Sequence, residues 1–367
     1  MESIKKFNPL NVSSKFAICG LPIRVDTYKN CSFKCSYCFS NSRKIMEFDK
    51  HLQIGNIGTV EKKLDKIFNK NEVSENNLLD TLILNGITWH CGGMSDPFQP
   101  CENKYHITKQ LIDVTNKYGI HILFSTKGDS VYDCDIKPEL HTFQLSVTNV
   151  YDRKDIEPNV PNIESRYKFY RYLKDRGFKV GIRIQPFIPG VTDTKIIDMF
   201  KDADNFTIEG IKIVPQNIEH KEEMLKLTGC DKNDFTQMGL LNLKPEIRLD
   251  LYKPFIEKLK YYGIPYSIAD NDLHYLGTNK CCCGDKLINK GTTFNNTYLL
   301  KKYGTDYKKC DVYRELEEGK YTHCKCNQLF TSNRQEGCIT VGDFFDKRFD
   351  RKSSPFSPKF LYKERDD

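Results

Sequence analysis

The sequence predicts an α/β fold, in which residues 1–270 form a partial or full β/α barrel. Short apolar or β-branched runs alternate with amphipathic stretches along this region. Glycines fall where a predicted helix ends and a strand follows, as expected at helix C-termini: Gly119, Gly177 and Gly263. Repeated units of this kind form a parallel sheet covered by helices. Six units over about 200 residues favour a barrel over a two-half dinucleotide fold.

The hydrophobic pattern assigns the individual elements. The predicted strands are residues 16–28, 81–90, 120–126, 141–148, 178–187, 206–214 and 264–269. The predicted helices, in which apolar residues recur at helical spacing, are residues 60–68, 106–118 and 247–262. In barrels of this type the chemistry takes place where strands end and loops begin, so we expect functional residues at those points.

Composition and charge limit the class of protein. Of the 367 residues, 39% are hydrophobic and 29% are charged, which is a globular composition that excludes wholesale disorder. Lys and Arg (56) exceed Asp and Glu (49), and this excess of +7 is compatible with a polyanionic partner but far from histone-like. The sequence shows no signal-peptide pattern and no apolar run near the roughly 20 residues of a membrane span. We therefore expect a cytoplasmic protein.

The 15 cysteines are odd in number and clustered, unlike a disulfide framework, so we expect some of them to bind metal. From about residue 271 the strand–helix alternation stops and the chain becomes cysteine-rich. We interpret residues 271–348 as an appended module and residues 349–367 as a charged tail. The module's thiols predict an auxiliary [4Fe–4S] cluster or a zinc site, or alternatively free thiols. The four candidate ligands are Cys283, Cys310, Cys324 and Cys326.

Three cysteines follow the first predicted strand at the spacing C-x3-C-x2-C: Cys31, Cys35 and Cys38. Three thiolates can bind three irons of a [4Fe–4S] cluster and leave the fourth iron open. A zinc knuckle and a ferredoxin-type site with a distant fourth cysteine are the alternatives. Zinc knuckles usually come in C-x2-C pairs, and the sequence has no second pair. The spacing therefore favours a cluster with an open iron.

The cysteine loop, with Tyr37 as its aromatic residue, resembles that of the radical S-adenosylmethionine (SAM) superfamily. The run from Gly92 to Glu102, GGMSDPFQPCE, resembles the signature (T/S)-D-P-(Y/F)-Q-P-x-E of the spore photoproduct lyase-like branch, which is related to DNA-repair photolyases. Further matches occur in order and extend the resemblance over about residues 20–215: Thr126-Lys127, Ser146-Val147-Thr148, Glu157-Pro158 with Arg166, and residues 186–190.

The resemblance implies a fold, a cofactor set and a reaction. The fold is a partial (β/α)6-type barrel, and Cys31, Cys35 and Cys38 would bind the cluster. The amino and carboxylate groups of SAM would chelate the open iron. Reductive cleavage of SAM would give a 5′-deoxyadenosyl radical, which abstracts hydrogen from a substrate. A reductant such as flavodoxin or ferredoxin would be the partner.

The resemblance also implies roles for residues near strand ends. The backbone of Gly92, Gly93 and Met94 would approach the amino group of SAM, although an ordinary strand-to-loop turn is the alternative. Asp96 and Glu102 are candidate acceptors for the amino group of SAM or for the substrate. Lys127 and Arg166 are candidate cations for the SAM carboxylate. Ser146 is a candidate contact to the ribose or the carboxylate. For the four charged residues, a solvated surface charge is the alternative. Arg183, on an alternating strand, is expected to face the barrel interior, where it requires an anion.

Lyase-type members use a cysteine near the second strand to return a hydrogen atom to the product radical. Cys91 lies there, offset by about two positions from that pattern, and Cys101 is a second candidate. A buried apolar thiol is an equally good interpretation of either residue.

Three functional hypotheses follow. The first is a radical SAM enzyme that acts on a nucleobase in DNA or RNA. The second is a radical SAM enzyme that modifies a peptide or small molecule with help from an auxiliary cluster. The third is a non-enzymatic iron–sulfur or zinc protein that binds nucleic acid. The aromatic and basic residues 166–174 fit an amphipathic helix better than a nucleic-acid surface.

Overall fold

The computed structural model describes residues 4–13, 20–42, 51–73, 77–84, 86–270, 272–279 and 282–283. In this part of the chain the strands are β1 (Lys6–Phe7), β2 (Leu10–Val12), β3 (Ile23–Val25), β4 (Tyr28–Lys29), β5 (Gln53–Gly55), β6 (Trp89–Cys91), β7 (Ile122–Thr126), β8 (His141–Ser146), β9 (Lys179–Phe187), β10 (Asn205–Gly210), β11 (Lys212–Ile213), β12 (Phe235–Met238), β13 (Leu240–Leu243) and β14 (Tyr266–Ile268).

The α-helices are α1 (Ile57–Phe68), α2 (Leu78–Leu84), α3 (Glu102–Tyr105), α4 (Ile107–Lys117), α5 (Ile163–Asp175), α6 (Lys195–Met199), α7 (Ile218–Thr228) and α8 (Pro245–Tyr261). Short 3₁₀ turns lie at Lys232–Asp234 and His274–Leu276.

One eight-stranded sheet forms the centre of the molecule, in the order β14-β10-β9-β8-β7-β6-β3-β2. Strands β3, β6, β7, β8, β9, β10 and β14 run parallel and follow one another in chain order, and β2 pairs antiparallel with β3 at one edge. Regular β-α progression in one direction is the topology of an α/β barrel. The predicted α/β class and parallel sheet are confirmed for the described residues.

Alternate strand residues face the helices and form the main apolar core. Phe124, Phe143 and Ile182 are fully buried in this core. Helices α1, α4, α5 and α8 pack their apolar faces into the same core. Burying such faces is the main driving force for this architecture. The intervening strand residues point to the opposite side, which we call the inner face of the sheet.

A smaller unit packs beside the barrel. Strands β11, β13 and β12 form an antiparallel sheet, and α7 lies close to it. The unit has its own apolar core, which includes Met224, Phe235 and Leu243. Tyr37 is buried in this core and Cys35 packs against it, so the unit covers one side of the predicted cluster loop. A further short sheet, β1-β5-β4, lies before α1.

Part of the predicted secondary structure is wrong. Residues 81–90 are predicted as one strand, but residues 78–84 form helix α2 and only Trp89–Cys91 is a strand. The side chain of Asn77 accepts hydrogen bonds from the backbone of Leu79 (3.0 Å) and Asp80 (3.4 Å), an N-cap that starts the helix. Residues 206–214 divide into β10 and β11, which belong to different sheets.

Most of the predicted module (271–348) and all of the predicted tail (349–367) lie outside the described residues. Residues 272–279, which the sequence assigns to the module, pack with the barrel. Leu273 lies in the main core, and the Asn279 side chain donates to Asn205 Oδ1 on β10 (2.6 Å). No helix in the described ranges is long and apolar enough to cross a membrane.

Candidate functional site

The predicted cluster loop follows β4 and is held by two other loops. Asn30 and Lys34 have positive φ angles (67° and 52°), which allow the chain to turn tightly around the thiols. The backbone N–H of Ser32 donates to Gln99 Oε1 (2.7 Å), and that of Ser36 donates to the carbonyl of Ile156 (3.0 Å). The loop is therefore anchored to the segment after β6 and to the connection between β8 and α5.

The three thiols of this loop are partly buried. Burial, followed by the charge of Asp96, raises the pKa of Cys31, and burial raises the pKa of Cys35 to about 12. The neighbouring sulfur of Cys38 contributes to both shifts through like-charge repulsion. With pKa values raised in this way, Cys31 and Cys35 would each release a proton on binding a metal. The number and type of these side chains are those that a cluster held by three thiolates requires.

No three His, Cys, Asp or Glu side chains converge as ligands of a metal ion within the ranges that the structure describes. The binding of metal by Cys31, Cys35 and Cys38 stays a prediction.

The glycines after β6 bring the backbone close to β7 and β3. Gly92 has φ +98°, and a Cβ there would stand 2.1 Å from the carbonyl oxygen of Ser125. A Cβ on Gly93 would stand 3.2 Å from Arg24 Nη1. The carbonyl of Met94 accepts from Ser40 Oγ (3.0 Å), so this backbone edge lies against the cluster loop. Met94 itself is exposed. Position 92 therefore has no room for a side chain, and the approach of this edge to SAM stays a prediction.

Asp96 and Glu102 have structural partners that the sequence did not predict. Asp96 accepts from the Thr126 hydroxyl (2.6 Å) and from the backbone N–H of Lys127 (2.6 Å), which ties its loop to the end of β7. Glu102 is 2% exposed and accepts from the backbone N–H groups of Thr108 (2.9 Å) and Lys109 (2.8 Å), and also from Tyr28 Oη. Glu102 thus caps the first turn of α4, where a carboxylate is favoured.

Lys127 and Arg166 lie together, as the resemblance implies, and a third residue joins them. Glu157 pairs with Lys127 Nζ (3.4 Å) and with Arg166 Nη2 (3.3 Å), and it accepts a hydrogen bond from Tyr37 Oη. Arg166 Nη1 also donates to the carbonyl of Ser146 (3.1 Å), which places Ser146 beside this group. Burial opposes ionisation of Glu157, but the charges of Lys127 and Arg166 outweigh it and lower its pKa.

A row of polar side chains crosses the inner face of the sheet. It consists of Arg24, His90, Ser125, Gln144, Arg183 and Glu209, one from each of six neighbouring strands. His90 Nε2 lies 2.8 Å from Ser125 Oγ, Ser125 donates to Gln144 Oε1 (3.3 Å), and Arg183 Nη1 donates to the same oxygen (3.1 Å). Arg24 contacts His90 at one end of the row. Hydrogen-bonding side chains therefore extend across six neighbouring strands on the inner face of the sheet.

The anion expected beside the buried Arg183 is Glu209 on β10, at 3.4 Å. The sequence reasoning missed Glu209, Gln144 and His90. Strand alternation carried a usable signal, because each of these residues stands between two apolar residues of its strand.

Cys91 and Cys101 lie on the helix side of the sheet. Cys91 is fully buried in the main apolar core, whereas its neighbour His90 points to the inner face. Burial raises the pKa of Cys91 far above its usual range and that of Cys101 to about 12. Cys101 immediately precedes α3 and packs against the same core. These positions agree with the alternative interpretation of buried apolar thiols, and a hydrogen-donor role stays an untested prediction.

Of the predicted auxiliary-site cysteines, Cys283 is described and lies within the barrel. It is 2% exposed and packs with Leu21 and Leu123. The carbonyl of Cys282 accepts from Thr207 Oγ1 (2.9 Å), and that of Cys283 accepts from Gln144 Nε2 (3.2 Å). Cys310, Cys324 and Cys326 lie outside the described residues.

Comparison with known proteins agrees with this architecture. No family model matches the chain. An uncharacterized protein of Methanocaldococcus jannaschii is 25% identical over 210 residues, which cover 55% of this chain and 74% of that protein. Spore photoproduct lyase complexed with a dinucleoside spore photoproduct superposes with a TM-score of 0.53 at 13% identity, covering 72% of this chain and 80% of that chain. A mutant of the lyase with bound AdoMet and the dinucleoside spore photoproduct superposes with a TM-score of 0.51 at 14% identity, covering 70% of this chain and 80% of that chain.

The chain therefore has the fold of spore photoproduct lyase. The fold-level resemblance predicted from the sequence is confirmed.

Proposed function

We propose that this protein is a radical SAM enzyme whose cluster is bound by Cys31, Cys35 and Cys38. The observation that carries the proposal is the position of this three-thiol loop, beside the Gly92–Met94 backbone edge and close to Lys127. When bound, the [4Fe–4S] cluster supplies the electron that cleaves SAM, and the resulting 5′-deoxyadenosyl radical takes hydrogen from the substrate.

The chain's own residues would bind and orient SAM at this place. Lys127 Nζ and Arg166 Nε are buried nitrogens without a hydrogen-bond partner among the described residues, beyond their ion pairs with Glu157. Buried donors of this kind favour a carboxylate ligand. The glycine edge would supply backbone groups to the amino group of SAM. The apolar core around Tyr37 would keep water away from the loop.

We infer a nucleobase in DNA or RNA as the substrate class. Amide and guanidinium groups on the inner face, from Gln144, Gln185 and Arg183, can pair with the donor and acceptor edge of a base. The fold of spore photoproduct lyase, a protein solved with a dinucleoside photoproduct, supports the same class. A peptide or small-molecule substrate is the competing outcome of the experiment.

Anaerobic reconstitution tests the reaction class. We expect the wild type to bind iron and sulfide and to release 5′-deoxyadenosine from SAM under reducing conditions. Cys35→Ala should abolish this release. Cys134→Ala, at a half-buried thiol that packs against the main core and lies outside the cluster loop, is the matched control and should retain it. Release that persists in Cys35→Ala, or no release from the wild type, contradicts the proposal.

The substrate class is tested with the same preparation. We expect oligonucleotides, but not peptides of equal concentration, to increase the rate of SAM cleavage. Binding of an oligonucleotide should weaken as salt rises, since phosphate contacts release counterions. Stimulation by peptides alone would assign the protein to the competing class.

A further inference from the structure

Glu157 lies at the centre of a buried group of charges next to the predicted cluster loop. We call Glu157, Tyr37, Lys127 and Arg166 the Glu157 group. The side chains of Glu157 and Arg166 are each 4% exposed and that of Lys127 is 13% exposed. Both carboxylate oxygens of Glu157 are used, one by Lys127 and Tyr37 and the other by Arg166.

The group connects the loop to two other parts of the barrel, β7 and α5. Tyr37 lies between Cys35 and Cys38, Lys127 directly follows β7, and Arg166 belongs to α5. The Lys127 ammonium also stands 5.4 Å from the centre of the Tyr37 ring. The carboxylate therefore fixes both the aromatic residue of the loop and the two cations around it.

The charges of the group do not cancel. One carboxylate and two cations leave one positive charge in a site shielded from water, where charges interact more strongly than at the surface. This site adjoins the cluster loop, since Tyr37, two residues after Cys35, donates to Glu157 and lies against Lys127. The balance of these charges is thus felt at a predicted cluster ligand.

We propose that Glu157 is a positioning residue that sets the reduction potential of the cluster by offsetting part of the positive charge of Lys127 and Arg166. This inference rests on the proposed function. A reduced cluster carries one more negative charge than an oxidised one, so an added positive charge nearby stabilises the reduced form. Removing the carboxylate charge should therefore raise the potential, and removing a cation should lower it.

The test is a redox titration of the reconstituted full-length protein, followed by electron paramagnetic resonance, without SAM or substrate. Glu157→Gln should shift the midpoint to a more positive potential, and Lys127→Gln should shift it to a more negative one. The double variant restores the net charge, so its midpoint should return towards that of the wild type. Glu164→Gln removes the same charge from an exposed position on α5 and should leave the midpoint unchanged.

The outcomes separate the inference from the proposed function. A wild type that binds no iron or sulfide overturns both. A wild type with a cluster, together with a Glu157→Gln protein that binds equal iron and has an unchanged midpoint, overturns only the inference. If Glu157→Gln does not fold, the sign of the Lys127→Gln shift decides. A shift to more positive potential, or no shift, contradicts the role assigned to these charges.

Discussion

Gly92 lies so close to Ser125 that a Cβ at Gly92 would stand 2.1 Å from the carbonyl oxygen of Ser125. The φ of Gly92 is +98°, a region that side chains rarely adopt. Strand β6 therefore ends in a turn that only glycine permits, and this turn directs the following backbone edge towards the cluster loop. Both the close packing against Ser125 and the positive φ therefore require glycine at position 92.

A strained φ alone costs about 1–2 kcal/mol, and we predict that Gly92→Ala lowers the free energy of unfolding by more than that. The clash is with backbone of a central strand, which has no side chain to move aside. Urea unfolding measures the effect. Gly119→Ala is the matched control, because Gly119 has φ +63° but open space around it. Equal destabilisation in the two variants would show that the approach to Ser125 is not limiting.

A buried ion pair joins α8 to the chain after β14. Arg248 Nη1 donates to Asp272 Oδ1 (2.9 Å) and stands 3.2 Å from Asp270 Oδ1, and all three residues are at most 4% exposed. Removing one partner of such a pair leaves an uncompensated buried charge. We predict that Arg248→Met lowers the free energy of unfolding by about 3–5 kcal/mol.

Urea unfolding of Asp272→Leu and of the Arg248→Met/Asp272→Leu double variant completes a double-mutant cycle. Removing one of the carboxylates together with the cation should recover part of the loss. Lys168→Met, which breaks an exposed ion pair with Glu164, should have little effect. If the double variant is less stable than Arg248→Met by the full loss that Asp272→Leu causes alone, the two losses are independent. That result would contradict the interpretation as a charge effect.

The parallel sheet was predictable because its strands are short apolar runs at regular intervals, and most of them were assigned within two or three residues. Helix α2 was not predictable, because its run LLDTLIL is apolar enough to be interpreted as a strand. Its N-cap, Asn77, lies outside that run. The β12–β13 hairpin mixes polar and apolar residues and has no clear period. Local pattern fails where length and periodicity do not distinguish helix from strand.

In the candidate site too, local features were predictable from the sequence and long-range contacts were not. The spacing of Cys31, Cys35 and Cys38 is local and was visible in the sequence. The contact of Tyr37 with Glu157 joins residues 120 positions apart, and that of Arg183 with Glu209 depends on the register of β9 and β10. Such contacts are consequences of the tertiary fold, and no spacing in a single sequence encodes them.

His141 gives the stability a specific pH dependence. Burial lowers the pKa of His141 to about 3 from an ordinary value of 6.5. The unfolded chain therefore takes up a proton below about pH 6.5, whereas the folded protein does not do so until about pH 3. Acidification through this window favours the unfolded state by up to about 1.4 kcal/mol per pH unit for this group.

We predict that His141→Asn reduces the loss of stability between pH 7 and pH 5. Asparagine can still accept a hydrogen bond from the backbone N–H of Lys137, as His141 Nδ1 does at 2.9 Å. The measurement is the free energy of unfolding in urea at several pH values. His106→Asn is the control, because His106 is exposed and its positive φ suits asparagine. A pH slope that is unchanged in His141→Asn would assign the acid sensitivity to other groups.

The Thr207 side chain holds the backbone of Cys282, and Thr207→Val should loosen this contact. The hydroxyl donates to the Cys282 carbonyl (2.9 Å), and its loss weakens that contact by about 1 kcal/mol, or about fivefold in the population of opened states. We therefore predict about fivefold faster alkylation of Cys283, which is 2% exposed, measured by mass spectrometry under native conditions. Thr115→Val makes the same hydroxyl-to-methyl change inside α4 and should leave this rate unchanged. Equal rates in wild type and Thr207→Val would mean that the Thr207 hydroxyl does not limit the exposure of Cys283, which the Gln144 hydrogen bond and the contacts with Leu21 and Leu123 also hold.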